Sequence, residues 1–107
     1  MKYIKLNAFT LDMDLSKNQL IIYNYLLTIN DFIGKPKIYL SYNQISYETR
    51  ILRRSVIRTI EELSKKQLID KKPFKEGIQI IINQDKIKKS EINLYLDELS
   101  KKWKNEK

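Results

Sequence analysis

The sequence Leu-Arg-Arg-Ser-Val-Ile-Arg-Thr-Ile-Glu-Glu-Leu-Ser-Lys-Lys-Gln-Leu-Ile, residues 52–69, has the spacing of an amphipathic α-helix. Val56, Ile60 and Leu63 recur at i, i+4 and i+7 and predict one apolar face. Because backbone N–H groups and the helix dipole favour anions at a helix N-terminus, basic residues there suit a polyanion. The predicted outer face carries hydrogen-bond donors and no carboxylate before residue 61: Arg53, Arg54, Ser55, Arg58 and Thr59.

Two interpretations of this basic face are open from the stretch alone. One is a helix that reads nucleic acid, because arginine can pair bidentately with guanine O6 and N7 in the major groove. The other is an ordinary amphipathic helix with a solvated basic face, since charge runs of this kind are common. The neighbouring segments favour the first interpretation.

The positive charge of the chain is concentrated around this helix. The 107 residues carry a formal net charge of +8. Residues 1–34 hold three Lys and three Asp, and residues 76–107 hold seven basic residues against six acidic ones. Residues 35–75 hold eleven Lys or Arg against four Asp or Glu, a balance of +7. An excess confined to the middle of the chain predicts a binding surface for a polyanion.

The composition limits the classes of function. The length predicts one domain with a modest core. The lack of a long apolar run or a secretory signal predicts a cytoplasmic protein with no membrane association. The chain has no Cys and no His, which excludes a disulfide framework, a thiol nucleophile and the common zinc sites. With no nucleophile–base pair and no glycine-rich phosphate loop, we expect no enzyme activity, no cofactor and no metal site.

The segment before the basic helix predicts a buried central helix. Residues 2–6 predict a short strand or an arm laid on the core, and residues 7–14 predict a loop. Ser16 and Gln19 have the spacing of a capping box, which places a helix start at Ser16. Apolar residues then cover most of the helix circumference to about Ile29, and Gly34 and Pro36 follow as stop signals.

A second helix start precedes the basic helix directly. After a short predicted strand at residues 37–40, Ser41 and Gln44 repeat the capping-box spacing. We predict a helix from Tyr42 to Glu48 or Thr49 and a turn at residues 49–51. Two short helices joined by such a turn form a helix-turn-helix, here about residues 41–66, whose second helix enters the major groove.

The segment after the basic helix predicts a β-hairpin at about residues 68–83. A turn cluster at residues 73–77 separates two strands, and the second strand is rich in β-branched residues. We expect Lys71, Lys72 and Lys75 at the hairpin tip, where they would meet phosphates or the minor groove; the alternative is a surface hairpin with solvated lysines. Residues 85–104 predict a C-terminal helix whose apolar stripe packs on the first helix or pairs with a second chain. The second arrangement would make the protein a homodimer.

The order of these elements resembles the winged helix-turn-helix family over about residues 15–83. Ile45 matches the core position of the family's second helix, residues 53–56 match the start of its recognition helix, and residues 67–69 match its exit. The resemblance implies an α+β, mostly helical fold with a two- or three-stranded wing sheet and a C-terminal helix, in a single domain of residues 1–107. The sequence departs from the pattern at Leu52, which replaces a capping Ser, and at Arg50 and Gln67, which replace Gly. At the last two we expect a strained positive φ or a different turn.

The resemblance implies a sequence-specific protein that binds double-stranded DNA. The segments around residues 15–26 and 39–42 are also similar to plasmid and prophage partition adaptors and to N-terminal domains of plasmid replication initiators. We therefore expect a dimeric centromere-binding adaptor or an autoregulatory repressor, with a partition or replication protein as a further partner. The alternative is a protein-interaction winged helix with only non-specific DNA binding. The residues expected to contact DNA are Arg50, Arg53, Arg54, Ser55, Arg58, Thr59, Lys71, Lys72 and Lys75.

Overall fold

The computed structural model describes residues 4–87. Helices and 3-10 segments account for 55% of these residues, so the expected α+β, mostly helical class is confirmed. No helix within this range is long and apolar enough to cross a membrane. The elements, in chain order, are α1 (Lys17–Ile33), β1 (Lys37–Leu40), α2 (Tyr42–Thr49), α3 (Arg53–Lys65), β2 (Ile69–Phe74) and β3 (Gly77–Ile82), with 3-10 segments at Ala8–Asp12 and Gln84–Lys86.

Helix α1 is the centre of the molecule, as its all-round apolar pattern predicts. Its start carries the expected capping box: Gln19 N donates to Ser16 Oγ at 3.3 Å, and Ser16 N donates to Gln19 Oε1 at 3.1 Å. The helix continues four residues beyond the predicted end at Ile29. Gly34, at φ 68°, is the residue that ends it, and Gly34 N donates to Asn30 O.

The chain before α1 lies along this helix as an arm. Lys5 N donates to Thr28 Oγ1 at 3.0 Å, and Asn7 N donates to Asn24 Oδ1 at 2.8 Å. Residues 4–7 form no strand, so the arm alternative applies to this described part. The predicted loop at residues 7–14 is wrong in one respect, because it contains a 3-10 segment that buries Phe9 against Tyr23, with ring centroids 6.4 Å apart.

Helices α2 and α3 follow the predicted boundaries closely. Ile45 is buried in α2, and Val56, Ile60 and Leu63 are buried in α3. The second capping box is only half formed: Gln44 N donates to Ser41 Oγ at 3.0 Å, but the Gln44 side chain donates to Glu48 Oε1 at 3.4 Å. The Gln44 amide nitrogen thus donates to a carboxylate one turn later, while a full capping box would need the Gln44 amide oxygen to accept from Ser41 N.

Arg50 and Gln67, at the exits of α2 and α3, adopt the first of the two geometries expected for them, a positive φ. Arg50, which ends α2, has φ 59°, and Gln67, after α3, has φ 62°. The left-handed conformation places Cβ close to the following carbonyl oxygen and costs a non-glycine residue roughly 1–2 kcal/mol. Helices α2 and α3 are thus followed by residues in a left-handed conformation that is unfavourable for arginine and glutamine.

The sheet is antiparallel with strand order β1-β3-β2. Its inner face is apolar and buried against the helices: Ile38, Leu40, Ile69, Ile78, Ile80 and Ile82. Phe74 pairs with Gly77, so the hairpin turn contains only residues 75 and 76. The predicted turn at 73–77 was too wide, because Pro73 belongs to β2, an edge strand where a missing N–H is tolerated. The predicted C-terminal helix at about 85–104 lies outside the described residues beyond Ile87.

Replacing Gln67 by Gly is expected to raise the free energy of unfolding by about 0.5–1 kcal/mol. Glycine removes the left-handed strain, and its greater freedom in the unfolded chain offsets only part of that gain. The matched control is Lys65→Gly, two residues earlier in helical geometry, which is expected to lose about 1 kcal/mol. Urea unfolding of both variants checks this, and equal losses at the two positions would contradict the strained turn.

Candidate nucleic-acid interface

All four arginines of the chain lie within nine residues, at the turn before α3 and on its first half: Arg50, Arg53, Arg54 and Arg58. Every other basic side chain in the sequence is a lysine. All four arginines are exposed. Guanidinium groups differ from ammonium groups by their planar fork, which matches phosphate and guanine edges bidentately. Their concentration at one place indicates a requirement for that geometry and not for positive charge alone.

The start of α3 is open to an anion. Its N-cap residue is Leu52, which supplies no side-chain acceptor, and its first turn contains no acidic residue. Val56 N, donating to Leu52 O at 2.9 Å, closes the first intrahelical bond. The N–H groups of the residues between them point out of the helix end, where the dipole is positive. The missing capping Ser therefore leaves an electropositive end next to Arg53 and Arg54.

The side chain of Arg53, at the start of α3, contacts Tyr42 at the start of α2. Its guanidinium carbon lies 5.9 Å from the centroid of the Tyr42 ring. A cation–π contact at an exposed site contributes about 0.5–1 kcal/mol. Tyr42 was not singled out from the sequence, because it lies on a different helix from Arg53, so no periodicity within one element relates the two. The contact makes the starts of both helices parts of one surface.

The prediction that Thr59 lies on the outer face is wrong. Its exposed fraction is 2%, and it lies three residues after Val56 and four before Leu63, on the face that enters the core. The polarity of Thr59 suggested exposure to solvent, whereas its position along the helix places its side chain in the core. Ser55 is half-buried at the margin. Conversely, Ile57 is 36% exposed and lies between Arg54 and Arg58 in the sequence, so the exposed side of α3 includes a large apolar residue.

The nearest carboxylates on either side of the arginines are engaged elsewhere. Tyr25 Oη donates to Glu48 Oε1 at 2.6 Å, a contact that directs Glu48 towards α1. This hydrogen bond lowers the pKa of Glu48, while burial and the same bond raise the pKa of Tyr25. Glu61, one turn after the last arginine, accepts from Lys71. The basic face is therefore not neutralised by either residue.

Lys71, Lys72 and Lys75 of the hairpin have different surroundings, and only one of them lies at the hairpin tip. Lys71 points towards α3, where its Nζ lies 2.7 Å from Glu61 Oε2, and Lys72 is exposed on the opposite face of β2. Lys75 lies in the two-residue turn, with its Nζ 5.5 Å from the Phe74 ring centroid. The expectation that all three lie at the tip is wrong for Lys71 and Lys72, because Pro73 and Phe74 extend the strand.

The Lys71–Glu61 pair connects the hairpin to α3. The hydrogen bond from Lys71 lowers the pKa of Glu61, and the bond to Glu61 raises the pKa of Lys71. Because the Glu61 pKa is lower in the folded chain, this interaction favours folding above the unfolded pKa. The contribution disappears as pH falls through the folded value. Within residues 4–87 no cluster of acidic side chains could hold a metal ion.

Comparisons with known proteins assign no family to this chain: no family model matches the sequence, and no curated protein or solved structure matches it significantly. The similarity to winged helix-turn-helix proteins stays a prediction from the residues quoted above. Any function must therefore be argued from the geometry of the described part of the chain.

Replacing Lys71 by Met is expected to raise the pKa of the Glu61 carboxyl towards its ordinary range, because the carboxylate loses its hydrogen-bond donor. NMR titration of the side-chain carboxyl carbons measures this. The control is Lys72→Met, which removes the same charge from the opposite face of β2 and should leave Glu61 nearly unchanged. An equal shift in both variants would show that Glu61 responds to net charge and not to the specific pair.

Proposed function

We propose that this protein binds double-stranded DNA sequence-specifically, with α3 as the recognition helix and the β2–β3 hairpin as the wing of a winged helix-turn-helix fold. The observation that carries the proposal is the placement of every arginine of the chain at the turn and start of α3. The element order and the strand order β1-β3-β2 support the winged arrangement.

Arg54 and Arg58 are the proposed base-reading residues. They lie four residues apart on one exposed face, which separates them by about 6 Å along the helix axis. Base pairs repeat about every 3.4 Å, so the two forks would reach edges roughly two steps apart. Ile57, between them, would contact a thymine methyl group. Arg53, held over Tyr42, and Arg50, in the turn, would contact phosphates and fix the register.

The hairpin would add phosphate contacts beside the recognition helix. Lys72 and Lys75 are exposed, whereas Lys71 is occupied by Glu61. With the four arginines, six cations per chain are then available for phosphates or bases. Because Arg54 and Arg58 are proposed to read bases, four of these cations would contact phosphates, which gives a slope of log affinity against log salt of about −4 per chain. A much shallower slope would mean that the wing does not contact DNA.

We further propose that the protein acts as a cytoplasmic homodimer, either as a partition adaptor that binds tandem repeats or as an autoregulatory repressor that binds a palindrome. A partition or replication protein would be the further partner in the first case. The supporting pattern is the three- and four-residue spacing of apolar side chains at the end of the sequence. It comprises Ile92, Tyr95, Leu96, Leu99 and Trp103.

A protein-interaction function is the second candidate, and exposed apolar side chains next to Arg50 favour it. Tyr47 is 85% exposed, and Leu52 is exposed as well. Large apolar residues beside a basic cluster suit an acidic protein partner with an apolar centre. This function predicts weak DNA binding that does not depend on sequence.

The first experiment is a footprint of the purified chain on the DNA around its own gene at near-physiological salt. Cooperative protection of several tandem repeats supports the partition adaptor, and protection of one palindrome over a promoter supports the repressor. Absence of protection above the non-specific background contradicts the DNA-reading proposal and favours the protein-interaction function.

Replacing Arg54 by Ala is expected to weaken binding to the footprinted site by about 1–3 kcal/mol. Arg54→Lys keeps the charge and removes the fork, so it should lower specific affinity while affinity for unrelated duplex stays as in the wild type. The control is Lys17→Ala, which removes a positive charge at the start of α1. This part of the chain lies near the end of α3 that is remote from Arg54, since the backbone oxygen of Asp14 accepts from Lys66. Fluorescence anisotropy measures the DNA affinity of the three variants. If Arg54→Ala weakens binding equally for the footprinted site and for unrelated duplexes, Arg54 contacts a phosphate and not a base.

A further inference from the structure

The outer face of the sheet is a second surface, distinct from the exposed side of α3. We define this outer sheet face by the residues that alternate with the buried isoleucines: Lys37, Tyr39, Asp70, Lys72, Phe74, Gln79 and Ile81. Within residues 4–87 these side chains are exposed or half-buried. None of the four arginines belongs to this face.

Two aromatic rings meet on the outer sheet face. Tyr39 on β1 and Phe74 on β2 lie on the two edge strands, yet their ring centroids are 4.6 Å apart, with planes inclined at 47°. They approach each other over β3, where Phe74 pairs with Gly77 and Tyr39 pairs with Gln79. The exposed fractions of Tyr39 and Phe74 are 50% and 41%, so half of each residue remains open to a ligand.

The glycine beneath the rings is fixed by the fold. A Cβ atom at Gly77 would collide with the backbone oxygen of Leu40. The middle strand therefore carries no side chain at this point. The rings and the backbone form one end of a shallow groove, which Ser41 and Gln44 of the α2 start also line.

Two lysines lie beside the aromatic pair. Lys75 Nζ lies 5.5 Å from the Phe74 ring centroid. Lys72 occupies the same cross-strand row as Gln79 and Tyr39. Glu76 also lines the groove, and Asp70 lies at the far end of the face, in the row of Lys37 and Ile81. Exposed rings with lysines beside them are the combination with which proteins hold nucleic acid single strands.

We propose that the outer sheet face binds single-stranded nucleic acid. An unpaired base stacks on the Tyr39–Phe74 pair, Lys72 and Lys75 hold the adjacent phosphates, and Gln44 offers a polar contact at the end of the groove. Every base has a π-face, so binding tolerates sequence variation. A duplex cannot use the rings in this way, because its bases are already stacked on one another.

A purely structural role for the rings is the alternative. Cross-strand aromatic pairs stabilise sheets by roughly 0.2–1 kcal/mol, and a pair of aliphatic side chains would cover Gly77 as well. The two roles differ in one measurable respect. Stacking requires a ring at positions 39 and 74, whereas covering the glycine requires only an apolar side chain.

The test uses the full chain and fluorescein-labelled oligothymidine and oligouridine about twelve nucleotides long, with binding followed by anisotropy. Tyr39→Leu and Phe74→Leu are each expected to weaken binding of the single strand about fivefold or more, since they remove the stacking ring. Tyr39→Trp is expected to keep or strengthen it. Tyr47→Leu is the matched control, because it removes an exposed tyrosine from α2 and should leave binding unchanged.

Three outcomes would overturn the proposal: no binding of either oligonucleotide, wild-type binding by both leucine variants, or an equal loss in Tyr47→Leu. Thermal unfolding by circular dichroism shows whether each variant is folded, and Tyr39→Trp keeps the test decisive if a leucine variant is not. A ring-dependent preference for oligouridine or oligothymidine identifies RNA or DNA as the source of the strand.

The surface does not depend on duplex recognition, and the two can fail separately. Arg54→Ala is expected to weaken duplex binding and to leave single-strand binding as in the wild type. Single-strand binding that is lost in Arg54→Ala but kept in Tyr39→Leu would place the strand on α3 and overturn the assignment to the sheet.

Discussion

The rotation of α3 about its own axis is the constraint on which the arrangement of the molecule depends. Four side chains on one face, those of Val56, Thr59, Ile60 and Leu63, are buried against the other helices and the sheet. Burying a large aliphatic side chain contributes about 1.5–3 kcal/mol. Successive residues are about 100° apart around a helix, so turning α3 by one position would expose this face and bury guanidinium groups. The arginines face outwards because the core permits no other orientation.

The same constraint explains how far the sequence predicts the candidate interface. Helical spacing gave the buried face of α3 and the boundaries of α2 to within a residue, since both follow from local periodicity. The prediction for Thr59 was wrong, because the polarity of its side chain was given more weight than its position along the helix. At Arg50 and Gln67 the sequence left two alternatives, a positive φ or a different turn, and the structure has the positive φ at both.

The remaining features depend on contacts between segments distant in the sequence. Pro73 suggested a turn, but the pairing of Phe74 with Gly77 moves the turn to residues 75 and 76 and changes which lysine lies at the tip. The partner of Lys71 was equally hidden, because Glu61 lies on a different element, α3. The Tyr39–Phe74 contact requires the full strand order, which no single hairpin shows.

Arg50 shows that the molecule is not optimised for stability at every position. A glycine would relieve the left-handed strain there, just as at the exit of α3, so selection or engineering for thermal resistance alone would favour Arg50→Gly. That exchange would also remove one quarter of the guanidinium groups in the chain. A variant selected for stability alone would thus be expected to become more stable through Arg50→Gly and to lose affinity for the proposed ligand. Arg50 is accordingly a position where library screens for heat tolerance and for binding should select opposite residues.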